Sequence, residues 1–116
     1  MPILSIRTSV DCNSIPTDLT EKLTDLICEV TGKPKSYVCI CICDCKNMTF
    51  GRTSDPCAFI KLKCLEVLPD RLKTTAKVMT LLTNELKIPG NRMYMQYECI
   101  YFDSLAFDGT TFSGRS

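Results

Sequence analysis

The sequence has no histidine and no tryptophan among its 116 residues. Without imidazole, Ser-His-Asp and Cys-His hydrolases are excluded, and so is every metal site built on histidine. An excess of one charge is also missing: 14 basic and 13 acidic side chains leave a formal net charge of +1. No basic run stands out, which excludes the electrostatic footprint of a nucleic-acid binder or of a protein held on an anionic membrane. No apolar run approaches the ~20 residues that span a bilayer. The opening segment, Met1-Pro2-Ile3-Leu4-Ser5-Ile6-Arg7, lacks the basic region, apolar stretch and cleavage site of a secretory signal. The expected location is cytoplasmic, with release by a leaderless route left open.

What remains is a chain of globular balance, 45% hydrophobic and 23% charged, sized for one domain spanning residues 1–116. Nine cysteines are present. Their odd number, their spacing and the apolar content argue for reduced thiols rather than a disulfide framework.

Two similar halves follow one another, each reading strand, helix, strand. In the first, Ile3 to Thr8 is short and β-prone. Pro16 and Thr17 open a helical pattern whose apolar face carries Leu19, Leu23, Leu26, Ile27 and Val30. Ser14 or Thr17 is the expected cap, and Gly32 the stop. Tyr37 to Cys43 reads as the second strand. In the second half, Cys57 to Leu65 is a strand, and Pro69-Asp70 opens a helix with an expected stripe of Leu72, Ala76, Met79, Leu82 and Leu86. Pro89-Gly90 ends that helix, and Met93 to Ile100 is the last long strand. Two strand-helix-strand units imply right-handed crossovers between parallel strands. The expected fold is α+β: one four-stranded mixed sheet with both helices on a single face. The other face is left uncovered and apolar, so self-association is expected.

The chemistry-bearing candidate is Pro2. Removal of Met1 would free a secondary amine, and burial or a nearby lysine would lower its pKa until it serves as a general base at cell pH. A Met-Pro start alone carries almost no information. A second unusual feature is the row Cys39, Cys41, Cys43 and Cys45, which alternation puts on one strand face opposite Val38, Ile40 and Ile42. Four thiols along a straight strand cannot wrap one tetrahedral ion. Copies of one cysteine converging in an oligomer, or cysteine as a small apolar residue in an interface, both stay open. No metal and no cofactor is assigned.

Five segments carry a resemblance: Met1-Pro2; Thr31-Gly32-Lys33-Pro34 followed by Tyr37; Phe50-Gly51 with Ser54-Asp55-Pro56-Cys57-Ala58-Phe59; Asn91-Arg92-Met93-Tyr94; and Gly109-Thr110-Thr111-Phe112. In order and spacing the chain resembles the family of macrophage migration inhibitory factor and D-dopachrome tautomerase, within the tautomerase superfamily. The resemblance covers residues 2–112. It implies a homotrimer of βαββαβ subunits with active sites between neighbours, and keto-enol tautomerisation of small aromatic keto acids such as phenylpyruvate, or of D-dopachrome analogues. It assigns catalysis to Pro2, Lys33 and Tyr94, the tyrosine coming from the neighbouring subunit. Lys33 would bind the substrate oxygen and help keep the proline nitrogen neutral. Ile3, Tyr37, Leu65, Gln96, Leu105, Phe107 and Phe112 would form the substrate pocket. The resemblance equally allows a secreted, cytokine-like signal that engages a cell-surface receptor while the pocket is vestigial.

Departures from the family pattern are specific. Gln96 stands in place of asparagine, Leu65 in place of isoleucine and Phe107 in place of a frequent tryptophan. A glycine pair after Leu65 is replaced by Glu66-Val67-Leu68-Pro69-Asp70, about two residues shorter, which reshapes the pocket rim and brings in an acidic group. Lys63 is expected to add positive potential near the pocket. The second thiol of a Cys-x-x-Cys pair is missing from Cys57-Ala58-Phe59-Ile60, so redox activity of that kind is not expected. Residues 113–116 are expected to form a flexible tail.

Overall fold

A computed structural model describes residues 1–114. Strand β1 (Ile3–Thr8) alternates Leu4, Ile6 and Thr8 inward with Ile3, Ser5 and Arg7 outward. Helix α1 (Leu19–Thr31) buries Leu19, Leu23 and Ile27, while Leu26 and Val30 pack half-buried at its margin. Its N-cap is Asp18, not Ser14 or Thr17, and no side chain caps it. Gly32 ends it in the left-handed region at φ 71°, donating its N–H to the Cys28 carbonyl, a backbone state that costs glycine little.

After Gly32 the chain passes Pro34 and turns through a 3-10 segment, Lys35–Tyr37, before β2 (Cys39–Asp44). The strand therefore starts two residues later than expected, and Tyr37 lies outside it. The second half repeats the device: after Pro89 comes a 3-10 turn, Gly90–Arg92, and then β4 (Met93–Cys99). In both, an extended proline accepts a hydrogen bond from the residue three positions on, Tyr37 to Pro34 and Arg92 to Pro89, each at 3.0 Å. Strand β3 (Ala58–Cys64) and helix α2 (Arg71–Leu86) lie between.

The sheet order is β2-β1-β3-β4, with β1–β2 and β3–β4 parallel and β1–β3 antiparallel. Leu4, Ile6, Ala58, Ile60 and Leu62 from the sheet share one core with Leu19, Leu23, Ile27, Val78, Leu82 and Leu86 from the helices. Both helices therefore cover one face. Each fully buried Leu or Ile there contributes about 1.5–3 kcal/mol. Between the helices, Lys77 reaches Glu29 at 2.8 Å and Lys22 pairs with Glu85.

The buried stripe of α2 differs from expectation. Thr74, Val78, Leu82 and Leu86 face the core, Met79 is half-buried, and Leu72 is 84% exposed with Ala76 also outward. Thr74 can be buried because its hydroxyl donates to the Asp70 carbonyl at 2.9 Å, leaving no unpaired polar group. Asp70 caps the helix, accepting from the Lys73 N–H. Lys87, not Gly90, takes the left-handed position that ends it.

The other sheet face is open. Register places three rows across it: Cys43, Arg7, Phe59 and Tyr94; Cys41, Ser5, Lys61 and Gln96; Cys39, Ile3, Lys63 and Glu98. The chain end folds into a small hairpin, β5 (Ala106–Phe107) and β6 (Thr110–Thr111), turned by Asp108 and Gly109, both at positive φ. Of the expected flexible tail, Ser113 and Gly114 belong to a 3-10 turn, Phe112–Gly114; Arg115 and Ser116 lie outside the described residues.

Candidate active site

Pro2 sits at the start of the central strand β1 with its ring fully buried. Its carbonyl accepts the Cys39 N–H at 3.0 Å, tying it to the entrance of β2. The residue is thus held by both the core and the sheet. Met1, half-buried, divides two clefts.

The first, about 110 Å³, is lined by Pro2, Lys33, Cys64, Leu65, Glu66, Val67, Phe102 and Phe112 among others. Lys33 reaches it because Gly32 reverses the chain at the end of α1, and the Lys33 N–H is fixed on the Thr31 hydroxyl at 3.2 Å. Its ammonium lies 3.7 Å from a Glu66 carboxylate oxygen. The second cleft, about 280 Å³, is aromatic and apolar, lined by Ile3, Tyr37, Val38, Leu105, Phe107 and Phe112. Tyr37 meets Phe107 edge-on with ring centroids 5.5 Å apart, and Phe107 stacks on Phe112 at 6.3 Å. Phe112 belongs to both clefts and joins them.

The electrostatics converge on the amino terminus. Burial pushes the Met1 ammonium below its ordinary value of 8.0, and the Lys33 cation pushes it further. Cys64 and Glu66 oppose both effects. Burial also holds the Cys64 thiol above its ordinary range, so it is a neutral wall group rather than a nucleophile.

The expected residues thus divide. Pro2, Lys33 and Leu65 meet in the first cleft; Ile3, Tyr37, Leu105 and Phe107 meet in the second; Phe112 serves both. Tyr94 and Gln96 line neither. Tyr94 is 68% exposed on the open face, its ring 4.9 Å from that of Phe50. It shares a row with Arg7, four residues along β1 from Ile3, or about 13 Å. One chain does not bring Tyr94 to Pro2. Lys63 also lines neither cleft and stands beside Ile3 on the open face. Phe102 and Cys64 were not foreseen: Phe102 lies in a 3-10 turn, where no periodicity points inward, and Cys64 is the last residue of β3.

A model of the family described as macrophage migration inhibitory factor matches residues 1–113. The chain belongs to that family. It is 37% identical over 114 residues to the macrophage migration inhibitory factor homolog of Brugia malayi, covering 97% of this chain and 99% of that one. It is 35% identical over 115 residues to the macrophage migration inhibitory factor of Xenopus laevis, covering 97% and 100%. The solved structure of macrophage migration inhibitory factor from Trichinella spiralis superposes with a TM-score of 0.89 at 30% identity, covering 95% of this chain and 99% of that one. The mixed sheet carrying two helices on one face is therefore the family's fold. Among the described residues of this macrophage migration inhibitory factor family member, no helix is long and apolar enough to cross a membrane.

Proposed function

We propose that this chain is a keto-enol tautomerase acting on small aromatic keto acids of the phenylpyruvate or dopachrome type, with Pro2 as the base. The observation that carries this reading is the placement of Pro2, buried and tied to the sheet, in one cleft with Lys33 and beside an aromatic slot. While Met1 is attached the Pro2 nitrogen is an amide without basicity. Removal of Met1 leaves a secondary amine next to the same surroundings that depress the Met1 ammonium, burial first and Lys33 second. Both effects favour the neutral, basic form of that amine. It takes a proton from the carbon next to the substrate carbonyl, electrons move onto the carbonyl oxygen, and Lys33 stabilises the charge that develops there. Returning the proton to the oxygen gives the enol; the reverse path gives the ketone.

The slot formed by Tyr37, Phe107 and Phe112 accepts a flat ring, with Ile3, Leu65 and Leu105 as apolar walls. Tyr94 and Gln96 enter this scheme only from a second copy, in a homotrimer whose sites lie at subunit interfaces. Action in the cytoplasm belongs to the same reading; release toward a cell-surface receptor belongs to the alternative, a secreted signal whose cleft is vestigial.

The test is the rate of phenylpyruvate tautomerisation by chain whose mass shows Met1 removed, beside Pro2→Gly. A proline base predicts a loss of about 10²–10⁴-fold. Equal rates overturn it. An extracellular signal with an idle cleft predicts equally negligible rates for both.

A further inference from the structure

The proposed chemistry uses only part of the first cleft. Pro2 and Lys33 line that cleft and not the aromatic slot. A substrate whose ring fills the slot and whose carbonyl meets Lys33 must send the rest of its length onward into the first cleft. The walls there are apolar: Leu65, Val67, Leu68, Pro69 and Phe102. Among the described residues the charged side chains lining it are Lys33 and Glu66, 3.7 Å apart. One cation beside one anion gives a carboxylate no net attraction. Residues 65–69 follow β3 at the end of the sheet where β1 and β2 begin. This arm is therefore built at the sheet's end, not on the open face through which the homotrimer reading brings Tyr94.

Met1 lines both clefts. The cleavage that frees the Pro2 nitrogen also removes the side chain between them, and Phe112, shared by both, becomes the common wall of one passage. We infer that this site prefers an uncharged, two-armed substrate: a benzyl-type ketone carrying an apolar chain beyond its carbonyl, of which an alkyl ester of an arylpyruvate is the simplest form. This inference rests on the tautomerase reading and narrows its substrate. The ring enters the slot of Tyr37 and Phe107, the ketone oxygen meets Lys33, and the alkyl chain lies along Val67, Leu68 and Phe102. The reaction balances as before. One C–H bond breaks, its proton passes through the Pro2 nitrogen to the ketone oxygen, and the ester bond stays intact. Glu66 and Val67, in the shortened loop, are thereby specificity-determining positions.

The test is kcat/KM of chain lacking Met1 for phenylpyruvate and for its methyl, ethyl, propyl and butyl esters. From methyl to butyl it should rise about two- to fourfold per methylene, fourfold being complete burial of each, and the butyl ester should surpass the free acid. Val67→Ser and Phe102→Ala should each flatten the series; both side chains stand outside the core, so the fold survives their loss. Phe107→Ala should lower every ester alike and keep the slope. A rise below about twofold per step, a preference for the free acid over the butyl ester, or a slope that survives both rim variants overturns the inference. Failure of the tautomerase reading looks different: Pro2→Gly and wild type then turn over every ester equally. Calorimetric binding of the same esters to Pro2→Gly chain lacking Met1 tests the arm without turnover. Affinity should rise by the same factor per methylene, and no rise overturns the inference in that case too.

Discussion

Arg92 is the side chain whose removal should reach furthest from its own position. Its guanidinium donates to four backbone carbonyls of one loop: Phe50 at 3.0 Å, Pro56 and Asp55 at 3.1 Å, and Thr53 at 3.2 Å. It also lies 5.5 Å from the centre of the Phe50 ring. A hydrogen bond from a charged donor is worth about 1.5–3 kcal/mol when buried. Most of these carbonyls can rehydrate, so about 0.5 kcal/mol each is the appropriate scale, with about 0.5 more from the ring contact. Arg92→Ala should therefore cost about 2–3 kcal/mol, which for a domain of this size lowers Tm by roughly 8–12 °C. Arg92→Lys should lose more than half of that, because a single ammonium cannot reproduce the planar fork. The assay is urea unfolding with the slope m held as a check on two-state behaviour. Arg71→Ala is the control: that guanidinium lies 5.1 Å from the Tyr97 ring centre, and its loss should cost about 0.5 kcal/mol. A loss below about 0.5 kcal/mol for Arg92→Ala at unchanged m would refute the reasoning, since the loop would then hold itself. Phe50 supports Tyr94, so the same variant should also loosen the open face.

Three further outcomes follow from the site and the core. Glu66→Gln removes an anion 3.7 Å from the Lys33 ammonium; an exposed pair of this kind is worth about 0.2–1 kcal/mol, so KM for a keto acid should fall about 1.4- to 5-fold while KM for its methyl ester stays put. In processed chain the base must be neutral. Its activity should therefore rise with pH, and Glu66→Gln should move the midpoint of a pH-rate profile lower, because Glu66 raises the terminal amine's pKa while burial and Lys33 lower it; a midpoint that stays put or moves higher in that variant contradicts the assignment. Leu23→Ala, at a fully buried site under the sheet, should cost about 2–5 kcal/mol in chemical unfolding.

Much of the fold was legible because apolar spacing reports it directly. Strand β1 has the bounds its pattern gave, and the α1 face around Leu19, Leu23 and Ile27 followed from spacings of three and four. The stripe of α2 was harder to read. Leu72 has a core residue's chemistry but lies at the solvent edge, while Thr74 is buried because its own helix supplies its hydrogen bond. Tyr37 looked like the first strand residue; Pro34 instead nucleates a 3-10 turn that swings its ring to Phe107. Asp108-Gly109 was the available signal for the terminal hairpin. The work of Arg92 had no such signal, since its partners are carbonyls 36 to 42 residues away, and backbone acceptors are the same in every sequence. Glu66 was visible as a charge, but its pairing with Lys33 depends on how the shortened loop closes.

A chain terminus is ordinarily the first part of a domain to fray. Here the second residue is buried, and its carbonyl is bonded to the Cys39 N–H. Opening that end means pulling apart the first rung between β1 and β2, so the Cys39 amide should exchange with solvent as slowly as amides of the sheet interior. Whatever the Pro2 nitrogen carries, methionine or hydrogen, is therefore delivered to one fixed point. The loss of freedom that a mobile terminus would meet at each encounter with another molecule is already met once, in folding.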